Sequence, residues 1–287
     1  MITVIDSISL AGSRAKQNDD RAGAQGRLAW AIDGATDLHD APLTGAASDA
    51  AWIAAALDAA LVAHAGGADA ISEPALRALI ASASGAARVA FARFANPGAI
   101  EAWKLPIASA LVLADAGEAL LGLDLGDCRL FVTDAGGATH AFGGADDAAG
   151  RETQFAADFA KSTNHADGAL YRTPAALEVL RDLRAKQNAH PRAGVFSLNP
   201  DCAVHARAWM LTPKRPAYAL LCSDGFSALV DRYGAYEGAS LIAATREQGL
   251  AALGVELRAI ETADATGARH PRWKRSDDAT ALFIRID

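Results

Sequence analysis

Cysteine is scarce. The 287 residues hold three, Cys128, Cys202 and Cys222, and none belongs to a Cys-x-x-Cys pair. That spacing excludes structural zinc and dithiol redox chemistry, and an odd, low count argues against a disulfide framework. A reducing compartment, the cytoplasm, is the expectation. No cluster of lysine and arginine with interleaved aromatics occurs, and 27 basic against 34 acidic residues leave a net charge of −7. No nucleic-acid partner is expected on that balance. Long apolar runs are missing too: the longest, 50–65, is interrupted by Asp58 and patterned as an amphipathic helix, so no membrane span is expected. The first ten residues carry Asp6 and no basic stretch, unlike a signal peptide. Histidines never occur at His-x-x-x-His spacing, which leaves them as surface or satisfied core residues. With 51% hydrophobic and 21% charged residues, the remaining class is an ordinary globular protein.

What is present begins with strands. Alternation over 3–10 and a short apolar run at 28–32 predict two of them. Two alanine-rich segments, 46–64 and 74–94, carry apolar residues at helical spacing and are closed by Gly66-Gly67 and by Asn96-Pro97-Gly98. Further strands are predicted at 107–114, 119–124, 129–133, 205–211, 217–222 and 279–286. The polar section 136–200 reads as a loop with helices at 152–161 and 174–187; helices at 226–233, 238–248 and 250–262 follow. Arg184 and Lys186, near the end of the 174–187 helix, read as charges that complement its dipole. Regular βαβ alternation is absent, which disfavours a doubly wound parallel sheet. Antiparallel sheets with helices outside are expected, within one domain spanning 1–287.

Acidic residues sit where those strands end. Asn18-Asp19-Asp20, Asp33-Gly34, Gly126-Asp127, Ser223-Asp224-Gly225 and Asp277-Asp278 each lie at a strand terminus or beside a glycine. Singly, each Asp-Gly is a turn dipeptide. Together they are harder to dismiss: Asp33 and Asp224 each follow a strongly apolar strand, Ala-Trp-Ala-Ile and Ala-Leu-Leu-Cys, and Asp277-Asp278 leads into another such strand. Carboxylates gathered at one mouth repel unless a cation joins them, and hard divalent ions take such oxygens.

In order and spacing these segments resemble the metal-dependent protein phosphatases, the family also called protein phosphatase type 2C. That family has an arginine before a Glu-Asp pair, an apolar strand ending Asp-Gly, Gly-Asp-Ser-Arg between two strands, a second apolar strand ending Asp-Gly, and a closing Asp-Asn. Here Arg14, Asp19-Asp20, Asp33-Gly34, Gly126-Asp127-Cys128-Arg129, Asp224-Gly225 and Asp277-Asp278 fill the series over nearly the whole chain. The resemblance implies an α+β four-layer αββα sandwich, with two mostly antiparallel sheets flanked by helices. It implies two Mg2+ or Mn2+ ions, Asp33 bridging them, the Gly34 carbonyl on one, and Asp224 and Asp277 holding one directly or through water. Asp20 would act from behind the ligands and Asp19 through water, while Arg14 would grip the substrate phosphate.

The chain departs from the pattern at positions that bear on the site. Aspartate replaces glutamate at Asp19, Arg14 lies one residue further upstream than usual, Ala35 stands where some members carry a histidine, and Ala228 stands where many carry an aspartate for a third ion. A third ion is therefore expected to be weak or absent. The expected reaction is hydrolysis of phosphomonoesters, on phosphoserine or phosphothreonine of a protein or on a small phosphoester, by a metal-activated water. Cysteine-phosphatase chemistry is excluded because no cysteine has an arginine six residues on; Cys202 meets Arg207 at five. The altered positions leave one competing class, a catalytically silent binding module with the same fold. The section 136–200 is the expected source of selectivity, and Trp273 could line the cleft.

Overall fold

A computed structural model of the chain describes residues 1–65, 71–144, 148–163 and 170–287. The Gly66-Gly67 helix stop lies outside the described residues. The strands are β1 (Ile2–Leu10), β2 (Arg21–Gln25), β3 (Leu28–Gly34), β4 (Ala108–Asp115), β5 (Leu120–Leu125), β6 (Arg129–Thr133), β7 (Thr139–Gly143), β8 (Arg207–Leu211), β9 (Ala217–Cys222) and β10 (Ala279–Ile286). The helices are α1 (Asp49–Ala65), α2 (Glu73–Phe91), α3 (Ala148–Thr163), α4 (Pro174–Ala189), α5 (Asp224–Asp231) and α6 (Gly238–Ala263).

Two five-stranded sheets result, ordered β1-β10-β9-β6-β7 and β2-β3-β4-β5-β8, with every described ladder antiparallel. The period-2 geometry of a strand explains their apolar composition. Along β3, Leu28, Trp30 and Ile32 point to the layer of α1 and α2, while Ala29 and Ala31 point between the sheets against Leu130 and Leu221. On the far side Phe131, Leu220 and Phe283 pack on α5 and α6. Both faces of each sheet are thus covered, so the central strands read as continuous hydrophobic runs. The architecture is four-layered, helices–sheet–sheet–helices, as the family resemblance implied.

Helix starts follow local chemistry. Ser72 and Thr173 cap α2 and α4, their hydroxyls accepting from the Ala75 and Ala176 amides, with a proline in the first turn of each. The two helices expected over 238–262 form one element with a break at Gly249 (φ 79°, ψ 162°), a left-handed value that suits glycine. There the freed Leu250 amide donates to Asp6 Oδ2 at 2.8 Å. Two strands, β2 and β7, were not expected; both are edge strands of small or polar residues without a fully buried position.

Register places the acidic residues. Asp33 pairs with Ser109 and Ala110 with Leu125, so the end of β3, the start of β4 and the β5–β6 turn share one rim. In the other sheet Cys222 pairs with both Ala281 and Arg129, which brings the end of β9, the start of β10 and the start of β6 to a common rim.

Candidate metal centre

Asp33, Gly34, Asp127, Asp224 and Asp277 line one cleft of about 710 Å³ at this rim. Three of these aspartates arrive on the ends of buried strands, and Asp127 arrives on the β5–β6 turn. Two glycines are needed because backbones touch: a Cβ on Gly34 would sit 2.5 Å from the Ala50 oxygen, and one on Gly225 would sit 2.0 Å from the Asp278 oxygen. Either methyl would push an aspartate-bearing segment away from its neighbour.

The carboxylates are poorly neutralised. Burial, followed by repulsion from Asp20, Asp224 and Asp127, drives the Asp33 carboxyl well above the usual range. Burial and then Asp127, Asp277 and Glu152 do the same to Asp224. Asp20 lies behind them. Burial lifts it to about 7, against the Ser223 hydroxyl that donates to its Oδ2 at 2.8 Å, and its Oδ1 has no hydrogen-bond partner among the described residues. Burial would raise Asp277 as well, yet Lys274, whose ammonium donates to its Oδ1 at 2.7 Å, holds it below the usual value. Ser109 Oγ donates to Asp127 Oδ1 at 2.6 Å. Crowded, dry carboxylates of this kind ionise together only with added positive charge, and an all-oxygen donor set suits magnesium or manganese. The residues fit such ions.

The remaining expected residues lie elsewhere. Asp19 is buried, faces a neighbouring hollow and pairs with Lys16 Nζ at 3.0 Å, while Ser48 Oγ donates to its other oxygen at 2.5 Å. Asp278 faces the same way, accepting from Lys16 at 3.1 Å and from the Gly12 amide at 2.6 Å. Arg14 is exposed and lines neither hollow. Ala35 and Ala228 line the cleft and bring it no titratable group.

Six charged residues that motif spacing did not single out as site groups also line the cleft: Glu152 of α3, Arg184 of α4, Arg232 after α5, Glu261 of α6, Arg272 and Lys274. Arg232 donates to Glu152 Oε2 at 2.8 Å. Lys186, as expected, stays at the helix surface with Asp182, but Arg184 turns inward, away from the dipole role read from its position. Trp273 does line the cleft, packing on Phe155 and Phe159 of α3 at ring separations of 5.4 and 5.3 Å. A separate trio, Asp37, His39 and Asp49, places ligand-type atoms within 4.8 Å of one another. Its oxygens are already engaged: Asp49 accepts from the Leu43 and Thr44 amides and the Thr44 hydroxyl, and Asp37 from the Asp49 and Ala50 amides. That trio caps α1.

No family model matches the chain, and no curated protein sequence matches it. Solved structures do. The serine/threonine phosphatase PstP/Ppp of Mycobacterium tuberculosis superposes with a TM-score of 0.60 at 16% identity, covering 100% of this chain and 99% of that one. The catalytic domain of the serine/threonine protein phosphatase PstP in complex with two manganese ions gives 0.57 at 16% identity, with coverage of 100% and 99%. The S. agalactiae serine/threonine phosphatase gives 0.54 at 13%, covering 99% of each chain. The chain has the fold of these bacterial serine/threonine phosphatases. Along its full described length, two antiparallel sheets flanked by helices repeat theirs.

Proposed function

We propose that the protein belongs to the metal-dependent phosphatases and hydrolyses phosphomonoesters with magnesium or manganese, on phosphoserine or phosphothreonine of a protein substrate. One observation carries the reading: Asp33, Asp127, Asp224 and Asp277, far apart in sequence, line one cleft at the sheet rims. The fold, shared with a phosphatase that holds two manganese ions, supports it. Asp33, the Gly34 carbonyl, Asp224 and Asp277 would hold two ions, with Asp20 buttressing them through Ser223 and Asp19 outside the cleft. When bound, the ions would acidify a water and offset charge on the phosphoryl oxygens.

The chain's own residues set the rest. Asp33 and Asp224 favour protons when no cation is near, so ion binding and proton release are linked. Lys274 keeps Asp277 ionised and oriented. Ala35 offers no proton, so the leaving oxygen would take its proton from water or from another side chain of the cleft. The apolar side of the cleft, including Phe155, Leu180 and Trp273, excludes bulk water and strengthens these interactions. Three buried, unpaired cysteines fit a reducing compartment. No described helix is long and apolar enough to cross a membrane.

Manganese-dependent hydrolysis of p-nitrophenyl phosphate tests the proposal. Asp33→Ala and Asp224→Ala should each lower turnover at least about a hundredfold, the scale of losing a charge-stabilising group. Wild-type turnover no higher than that of Asp33→Ala would leave the silent binding module in its place.

A further inference from the structure

Resting on that phosphatase reading, we propose that Arg184, with Lys274 beside it, grips the substrate phosphate in this cleft, the task that sequence resemblance would give to Arg14. Arg184 belongs to α4, in the section between β7 and β8, and lines the same cleft as the aspartates. It is 9% exposed. A guanidinium has five N–H donors and normally finds acceptors for them when buried. Here two long bonds, 3.5 Å to the Ala35 carbonyl and 3.3 Å to the Thr36 carbonyl, are its hydrogen bonds, and Nε has no partner among the described residues. Both lie beyond the usual range for N–H···O. It forms no ion pair among the described residues, unlike Arg232 with Glu152 and Arg272 with Asp264. Burial accordingly lowers its proton affinity to about 10, with Asp37 alone pulling the other way.

Such a cation is costly to bury without an anion, and the segment that anchors it is informative. Ala35 and Thr36 directly follow Asp33-Gly34. Thr36 also accepts from Lys274 Nζ through its hydroxyl at 2.7 Å. Two cations therefore converge on one residue at the edge of the carboxylate cluster. A phosphate monoester whose oxygens reach the ion-holding aspartates can present its remaining oxygen to the Arg184 guanidinium, which lines the same cleft. The planar fork of arginine suits that contact better than a lysine alone.

The test compares wild type with Arg184→Gln and Arg184→Met, the second keeping apolar packing of the stem. Three readouts are p-nitrophenyl phosphate kinetics at saturating manganese, calorimetric binding of inorganic phosphate to the manganese-loaded protein, and manganese affinity by titration. Either variant should raise KM and the phosphate dissociation constant about tenfold or more, while kcat and manganese affinity stay within about threefold, because one charged contact shared by ground and transition states is removed. Unchanged KM and phosphate affinity in a folded variant overturn the proposal and leave the phosphatase reading standing. If wild type shows no turnover, the phosphatase reading falls, and phosphate binding decides alone: weaker binding in the variants upholds the grip, and equal binding overturns it.

Discussion

Ser223 shows how much of the centre is built by residues that face no solvent. Its hydroxyl donates to Asp20 and accepts from the Thr280 amide at 3.0 Å, tying the end of β9 to the start of β10. Removing it leaves Asp20 with neither oxygen satisfied by that strand end, and raises further a carboxyl already lifted to about 7. Supporting groups of this kind typically tune metal affinity by about ten- to a hundredfold. Ser223→Ala should weaken manganese binding by that factor, seen in titration, while saturating manganese restores most of kcat. The aspartates themselves were legible in the sequence because each lies near the end of a largely apolar strand. Glu152, Arg184, Arg232 and Lys274 were not. They come from helices and loops, where no fixed spacing to the aspartates exists, and only tertiary packing brings them to the cleft.

Elements differ in how tightly they are held. The sheets and α1, α2, α5 and α6 share large buried clusters, whereas α3 and α4 meet in a small one of Ala156, Leu170, Ala176 and Trp273. Trp273 is its largest member and arrives from the loop before β10. Trp273→Ala removes the side chain on which Phe155 and Phe159 rest. Losing a buried tryptophan costs about 3–5 kcal/mol where the site cannot collapse, and here the loss falls on a locally opening unit. Hydrogen exchange should accelerate in α3 and α4 and stay slow in β3, β9 and β10; uniform acceleration would contradict this division. Strand bounds read from sequence matched at β6, β9 and β10 because burial on both faces keeps most of each strand apolar. The edge strands β2 and β7 escaped because Arg-Ala-Gly-Ala-Gln and Thr-His-Ala-Phe-Gly carry little of the bulk that marks a buried strand.

At the scale of the whole molecule, the sandwich brings two sheet rims together and concentrates acid there. Antiparallel sheets with helices outside were legible from the element order, and the four-layer stacking followed from the family resemblance. The covering of the cleft by α3 and α4 was not, because the contacts that hold them there, Arg232 with Glu152, Arg181 with the Leu38 carbonyl and Trp273 with Phe155 and Phe159, join residues far apart in the chain. The account's central claim is that the converging carboxylates bind divalent cations. Calorimetric titration of chelator-stripped protein with manganese tests it most directly. Wild type should bind about two ions at pH 7.5 with release of protons, and more weakly at pH 5, since Asp33 and Asp224 sit well above the usual carboxylate range and Asp20 at about 7, so all three hold protons there. Asp33→Asn should abolish most of that binding; full binding by Asp33→Asn, or none by wild type at either pH, would contradict the account.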